Sequence, residues 1–338
     1  MNLKGMSFKD LLDAEISSSF ELKSPNTKKS HPWYLSHLHA DFIELKCLFW
    51  AKNEWLSIKD IIGHYKDSGE EFEKEESLTD AVGSNASENE DKLFSKFIDI
   101  FEVIKERLSY FEDDYPFEVD SKNNYIKLKT KISDRHVLYI KLLLDSNLNN
   151  FPKLQHILTK DFEKISAWVL KEYLPNSQVS ELGKNSTHKG NTKTKIESLS
   201  KDLNITIRKE EVDRLPPSAS QEKGLDLIAY IPFKDKIAST IILLAQCACG
   251  KPWPNKTNET SNYESYLDFY KQRPIHSMFV PYCLSFENTG FYQSESLNDK
   301  LVFERKRIIE FISDFTEFHK LESFEIANKV FETEAVEV

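Results

Sequence analysis

Residues 224–256 read GLDLIAYIPFKDKIASTIILLAQCACGKPWPNK, and the two apolar runs inside this stretch decide the fold. Leu225–Ile231 and Ile241–Cys247 carry β-branched and aromatic residues with no polar face at helical spacing. Such runs suit strands covered on both sides, as in a sheet sandwiched between helices. Pro232 and the charged trio Lys234, Asp235 and Lys236 predict the turn between them. Two polar residues break the pattern: Asp226 just inside the first run and Gln246 at the end of the second. An ionised carboxylate is costly to bury unless it is hydrogen-bonded, paired with a cation or bound to a metal, and a buried amide also needs partners. On sequential strands the two can face each other across one ladder.

Outward from this pair, Phe162, Ile165, Val169 and Tyr173 mark an amphipathic helix, and a polar stretch over 176–194 reads as a loop. A second helix follows around Ile196, Leu199 and Leu203. Met278–Leu284 reads as a further strand, and Ile308, Phe311, Ile312 and Phe315 as the stripe of a terminal helix. The expected architecture is α/β, a mixed sheet flanked by helices over residues 151–338. The N-terminal half is mainly helical. Leu38, Phe42, Leu45 and Phe49 recur at helical spacing, and Ser57 with Asp60 predicts the cap of a second helix through Ile61 and Ile62. Leu93–Phe111 is helical in period, Tyr115–Val119 and Tyr125–Leu128 predict a hairpin, and Ser133 caps a helix to Asp145. This order allows a winged helix-turn-helix, although helix pairs with short turns are common in domains that only dock partners. Between residues 66 and 92 acidic side chains crowd against few apolar ones, which predicts a disordered linker between a helical segment 1–65 and the remainder of that domain, 93–150.

Composition bounds the function classes. With 338 residues the chain has material for about two domains. No apolar run approaches the roughly 18–20 residues of a membrane helix. Met1–Asp10 lacks the basic and apolar segments of an export signal, so a cytoplasmic location is expected. Four cysteines form no disulfide framework and suit a reducing compartment. The net charge of −10 argues against a globally basic coat protein but leaves room for a local basic path, since much of the acidity lies in the 66–92 segment. No phosphate-binding glycine loop, dinucleotide fingerprint or zincin helix is present.

The sequence Gly224-Leu225-Asp226, followed by an apolar strand that ends in Gln246-Cys247-Ala248-Cys249-Gly250-Lys251 with Trp253 beyond, resembles the PD-(D/E)XK, or restriction-endonuclease-like, nuclease superfamily. It looks like a variant branch in which glutamine replaces the second acid. The resemblance spans about residues 155–315 and implies a Mg²⁺-dependent DNA endonuclease, with Mn²⁺ as a substitute ion. It implies that Asp226 and Gln246 hold the ion, that Glu163 on the Phe162 helix completes the set, and that a lysine acts beside them. Where the superfamily places this lysine, two residues after the acid, the chain has Ala248; Lys251 is the next candidate and Lys256 the reserve. Similar variant domains serve bacterial defence against phage, which would make the chain an effector or a subunit beside a protein partner or a second copy. A nuclease fold that has lost activity and only binds nucleic acid or a partner is the rival.

The chemistry suits the residue types. Phosphodiester cleavage needs a hard cation held by oxygen ligands and a positive group near the phosphate. With an amide at Gln246 the site carries one negative charge fewer, so weaker Mg²⁺ binding is expected than with an acid there, and Gln246→Glu is expected to bind more tightly. Lys189, Lys193 and Arg214, with Lys256, are candidates for a DNA path. Cys247, Cys249, Cys283 and His276 could in principle compose a zinc site, but their apolar setting favours buried free thiols.

Overall fold

The computed structural model describes residues 8–16, 22, 32–51, 54–67, 86–183, 185, 186, 188, 190–216, 224–235, 237, 240–250, 253–269, 273–286, 290, 291, 297 and 299–332. The chain divides into two compact units. One comprises Met1–Leu154, Cys283–Tyr292 and Phe324–Val338; the other comprises Gln155–Tyr282 and Gln293–Ser323.

In the first unit, α1 (Phe8–Ile16) and α2 (Pro32–Trp50) precede the short strand β1 (Leu56–Ser57), then α3 (Ile58–Asp67) and α4 (Ala86–Phe111). The cap at α3 is reciprocal. Ser57 N–H donates to Asp60 Oδ2 at 2.8 Å, and Asp60 N–H donates to Ser57 Oγ at 3.2 Å. β2 (Phe117–Asp120) and β3 (Tyr125–Leu128) form the hairpin, with the Asp120 carboxylate accepting the N–H groups of Lys122 and Asn123 and with Asn124 in the left-handed region at φ 57°. The three strands lie antiparallel in the order β1-β3-β2. Ser133 caps α5 (Asp134–Asp145). The expected linker is helical at both margins, since α3 reaches Asp67 and α4 starts at Ala86; its centre, 68–85, lies outside the described residues.

The core of this unit holds a buried ionic network. Arg107 pairs with Asp41 at 2.8 Å and with Glu44 at 2.7 Å, and its Nη2 donates to the His37 carbonyl at 3.0 Å. The hydroxyls of Tyr115 and Tyr139 donate to the same Glu44 carboxylate at 2.8 and 3.0 Å. Two buried carboxylates are therefore balanced by one guanidinium and two phenols.

The second unit is a five-stranded mixed sheet in the order β12-β9-β7-β6-β4, with helices on both faces. Its elements are α6 (Gln155–Tyr173), β4 (Gln178–Glu181), α7 (Thr192–Asp202), β5 (Thr206–Ile207), α8 (Lys209–Asp213), β6 (Leu227–Tyr230), β7 (Ile242–Cys247), α9 (Tyr263–Tyr266), β8 (Leu267–Asp268) and β9 (Ile275–Phe279). After β10 (Ser285–Phe286) and β11 (Gly290–Phe291), a hairpin of the first unit, the sheet ends in β12 (Leu301–Phe303), which leads into α10 (Arg305–Phe311). The β4–β6 and β6–β7 pairs are antiparallel, whereas the β7–β9 and β9–β12 pairs are parallel. Ile228, Tyr230, Ile242 and Leu244 alternate onto one face and pack with Ile196, Leu199, Val212 and Tyr263 from α7, α8 and α9. α6 lies against β4, β6 and β7 on the other face. Burial on both faces explains why β6 and β7 are apolar at every position but Gln246 and Cys247.

The structure departs from the expected elements at the edges. β4 lies inside the stretch read as a loop, and its four residues QVSE hold one apolar side chain, too few for a strand signal. The strand expected at Met278–Leu284 is β9, which starts at Ile275 and ends at Phe279. The terminal helix stops at Phe311, short of Phe315, and a further helix, α11, covers Glu322–Glu332. Arg305 is buried with its Nε donating to the Pro281 carbonyl, and Arg307 donates to the Val302 carbonyl, so these two arginines serve the chain's own backbone.

Candidate functional site

The sequence pair Asp226 and Gln246 lies at one end of the sheet, where β4 ends, β6 begins and β7 ends. Leu227 is the register partner of Ala245, yet the N–H of Asp226 also donates to Ala245 O at 3.0 Å. Two residues of one strand thus face one of the other, a bulge that re-aims the Asp226 side chain. Its carbonyl is taken by the N–H groups of Leu182 and Gly183 at 2.7 and 3.1 Å. Its carboxylate accepts the Cys247 N–H at 2.7 Å, so the side chain occupies the fork in which the two strands part.

Glu163, on α6, comes to the same place, and Gly183 makes room for both acids. A Cβ at Gly183 would stand 2.6 Å from Glu163 Oε2 and 3.1 Å from Asp226 Oδ1. Glu163 is buried at 6% exposure, which fixes its head group against this junction. Burial, reinforced by the Asp226 and Glu163 charges, raises the Cys247 thiol well above the ordinary value against a weaker lowering by the Ser166 hydrogen bond. A thiol held protonated is a poor ligand for soft metals. Lys195, on α7, donates from Nζ to the Leu182 carbonyl at 2.7 Å, one residue from Gly183, and so brings an ammonium group to the same strand end.

Gln246 has other company. Its amide donates to Glu259 Oε2, from a 3-10 turn over Glu259–Asn262. Gly224 accommodates this carboxylate as Gly183 does the other two: a Cβ there would lie 2.2 Å from Glu259 Cβ and 2.6 Å from its Oε2, and φ is +82°. Both needs explain the glycine two positions before Asp226. His276 on β9 ties the turn down, with Nδ1 2.9 Å from Thr260 Oγ1 and Nε2 2.8 Å from Glu264 Oε1. A neutral ring with its proton on Nε2 satisfies both contacts.

The structure therefore joins Asp226 to Glu163 and Gln246 to Glu259. Lys251 and Lys189 lie outside the described residues. Lys256 ends a 3-10 turn over Trp253–Lys256. Lys193 pairs with Asp213 at 2.6 Å and Arg214 with Glu211 at 2.6 Å, so each of these exposed cations is accompanied by an acid. Sequence reading missed Gly183, Glu259 and the placement of Lys195. For Glu259 the one available signal was Gly224, whose bare backbone announces a close neighbour without naming it.

Among the described residues, no group of three or more His, Cys, Asp or Glu side chains is arranged to hold a metal ion, and no helix is long and apolar enough to cross a membrane. Two convergent carboxylates suit Mg²⁺ or Mn²⁺ better than zinc, because Mg²⁺ keeps several waters and needs one or two protein carboxylates. Comparison of the chain with models of protein families, with curated proteins and with solved structures finds no match.

Proposed function

We propose that the second unit is a restriction-endonuclease-like domain that hydrolyses DNA phosphodiester bonds with Mg²⁺ or Mn²⁺. The observation that carries this reading is the convergence of Asp226 and Glu163 over Gly183 at the fork between β6 and β7. A buried acid from a helix and a half-buried one from a bulged strand are expensive to bring together, and a divalent cation is a partner that offsets their repulsion. When bound, such a cation neutralises charge on the phosphate and favours a hydroxide-like water.

In this reading Asp226 and Glu163 fix the metal position, and Gln246, paired with Glu259, belongs to the supporting structure of the strand end. The Cys247 N–H holds one Asp226 oxygen in place. Lys195 supplies the ammonium near the phosphate that Ala248 does not, with Lys251 and Lys256 on the segment that follows. Hydrolysis forms a bond from water oxygen to phosphorus, breaks the bond to the leaving sugar oxygen, and passes one proton from the water to solvent and one to the leaving group. The first unit, with its helix-strand-helix-helix-hairpin order, would dock a partner or nucleic acid as a winged helix-turn-helix, in keeping with a subunit of an antiviral defence assembly.

Incubating the full chain with supercoiled and linear DNA and Mn²⁺ tests the proposal against Asp226→Asn. Cleavage by wild type that the variant loses supports it. The pairing of Lys193 and Arg214 with acids, and Ala248 in the lysine position, favour a second reading, a nuclease fold that binds without cutting. DNA retention without cleavage, and without Mn²⁺ binding, would select it.

A further inference from the structure

We infer that the outer face of the β1-β3-β2 sheet in the first unit is a docking surface for single-stranded nucleic acid, with Trp55 and Tyr125 as stacking platforms and the lysines along β3 and its flanks as phosphate contacts. The inference concerns the first unit and does not depend on the nuclease reading of the second. Register sorts the sheet into two faces. Leu56, Phe117, Ile126 and Leu128 turn inward and are buried, so their neighbours Ser57, Glu118, Tyr125 and Lys127 turn outward. Continued by one residue, the Leu56↔Ile126 pairing sets Trp55 opposite Lys127, and Lys127 Nζ lies 4.9 Å from the centroid of the Trp55 ring. Trp55 is 42% exposed and Tyr125 38%, two large rings left in water as diagonal neighbours across one ladder. A single exposed apolar side chain needs no account. Two adjoining aromatic rings with an ammonium group over one of them are the parts of a base-stacking surface.

Charge selects the partner. The chain carries −10 overall, yet residues 121–133 hold Lys122, Lys127, Lys129 and Lys131 and no acid. Lys122, Lys129 and Lys131 form no ion pair among the described residues. The two acids on this face are engaged: Glu118 Oε2 lies 3.3 Å from Lys127 Nζ, and the Asp120 carboxylate accepts the N–H groups of the hairpin turn. A polyanion therefore meets uncommitted ammonium groups here. The exposed rings add the choice of strand. In a duplex the faces of each base are covered by its neighbours, whereas a single strand can lay unstacked bases on Trp55 and Tyr125. The helix that would enter a duplex groove in a helix-turn-helix is the poorer candidate, since α4 opens with ASENED, three acids without a lysine or arginine.

The test is fluorescence anisotropy of a labelled thymidine oligonucleotide of about 20 residues with the full chain at low salt. EDTA is present so that no cleavage intervenes, and a duplex and a base-free phosphodiester strand of the same length are compared. Wild type is expected to prefer the single strand by about tenfold or more over both. Trp55→Ala and Tyr125→Ala, substitutions at exposed positions, are each expected to weaken single-strand binding by about five- to a hundredfold with unfolding temperatures close to wild type, and Trp55→Phe to recover most of the loss. Lys129→Gln with Lys131→Gln is expected to flatten the slope of log affinity against log salt by about 1.4, roughly 0.7 for each phosphate contact removed. Equal wild-type affinity for the base-free strand would show that charge alone binds, and unchanged affinity in folded Trp55→Ala and Tyr125→Ala proteins would place binding elsewhere in the chain; either result overturns the inference. Tighter binding of the duplex overturns it too, as does a wild type that binds none of the three. Polyglutamate bound as tightly as the oligonucleotide would mark an acidic protein segment as the occupant, against the inference. None of these outcomes touches the nuclease reading, which stands or falls on cleavage with Mn²⁺ and its loss in Asp226→Asn.

Discussion

One methyl group at Gly183 should separate the two acids. Its φ lies outside the left-handed region, so the backbone itself accepts alanine. The added Cβ would lie 2.6 Å from Glu163 Oε2 and 3.1 Å from Asp226 Oδ1, against an ordinary contact of 3.4 Å or more. The Glu163 head group must therefore withdraw by about 0.8 Å, and Asp226 by about 0.3 Å, before repulsion is relieved. The atoms met are the ends of side chains, not backbone, so relief comes by rotating Glu163 off its rotamer, at a cost of roughly 0.5–1.5 kcal/mol. Stability falls by no more than this. Cation binding responds differently, because a ligand set tolerates displacements of only about 0.5 Å. Mn²⁺ affinity is expected to fall at least tenfold, roughly 1.4 kcal/mol, and DNA cleavage by up to about a hundredfold. Calorimetric titration paired with thermal unfolding reads both quantities. A Gly183→Ala protein that folds and binds Mn²⁺ as wild type does, while Asp226→Asn does not bind, would show that the ion does not sit between these acids and would refute the reasoning.

Two further expectations concern the first unit. Arg107→Met leaves Asp41 and Glu44 buried without their guanidinium and should cost about 3–5 kcal/mol in urea unfolding, with part of the loss recovered when Glu44→Gln is added; a loss below about 1 kcal/mol would contradict the network's role. His136 is held below its ordinary 6.5 by burial, with the Lys129 charge adding to it and the bond from Nε2 to the Asp113 carbonyl opposing it, while Nδ1 of the neutral ring accepts the Ser133 N–H. Its contribution is then whole above pH 6.5 and is lost as pH falls through the depressed folded value, so the urea midpoint should drop more between about pH 7.5 and 5 in wild type than in His136→Gln, and equal drops would sink the assignment.

Much of the fold is legible in side-chain pattern. β6 and β7 announce themselves because both of their faces are buried, and the caps at Ser57 and Ser133 follow from residues that act within three positions of each other. The elements that escape are those whose pattern is short or set from elsewhere. β4 exists because β6 offers it a ladder, from Gln178↔Tyr230 to Glu181↔Leu227, and not because QVSE favours a strand. The chain's return to the first unit at Cys283 and again at Phe324 leaves no mark in composition, since a unit boundary depends on which cores the segments join. At the site, the polar interruptions at Asp226 and Gln246 were visible, but their partners were not. A register pairing alone would set the two side chains together; the bulge at Asp226 turns its carboxylate toward Glu163 instead.

The same partnering reverses the expectation that an acid at position 246 must strengthen the site. Sequence alone counts charges: Gln246→Glu adds one, so cation affinity should rise. The structure places the Gln246 amide in hydrogen-bond contact with Glu259, so the substitution sets a carboxylate against a carboxylate in a buried setting. Two acids at that distance cannot both ionise cheaply; they share a proton, and one of the pair titrates well above the usual carboxylate range. At neutral pH the gain in charge is then partly cancelled by the retained proton, and the head group that remains ionised need not face the ion. Gln246→Glu is accordingly expected to bind Mn²⁺ no tighter than wild type near pH 6, with affinity rising as pH is raised toward 8.5 and the shared proton leaves, and with a proton released on binding that calorimetry in buffers of different ionisation heat can count. Tenfold tighter, pH-independent binding by the single variant would mean that Glu259 does not face this position in solution, and the arrangement argued for Gln246 would fall with it.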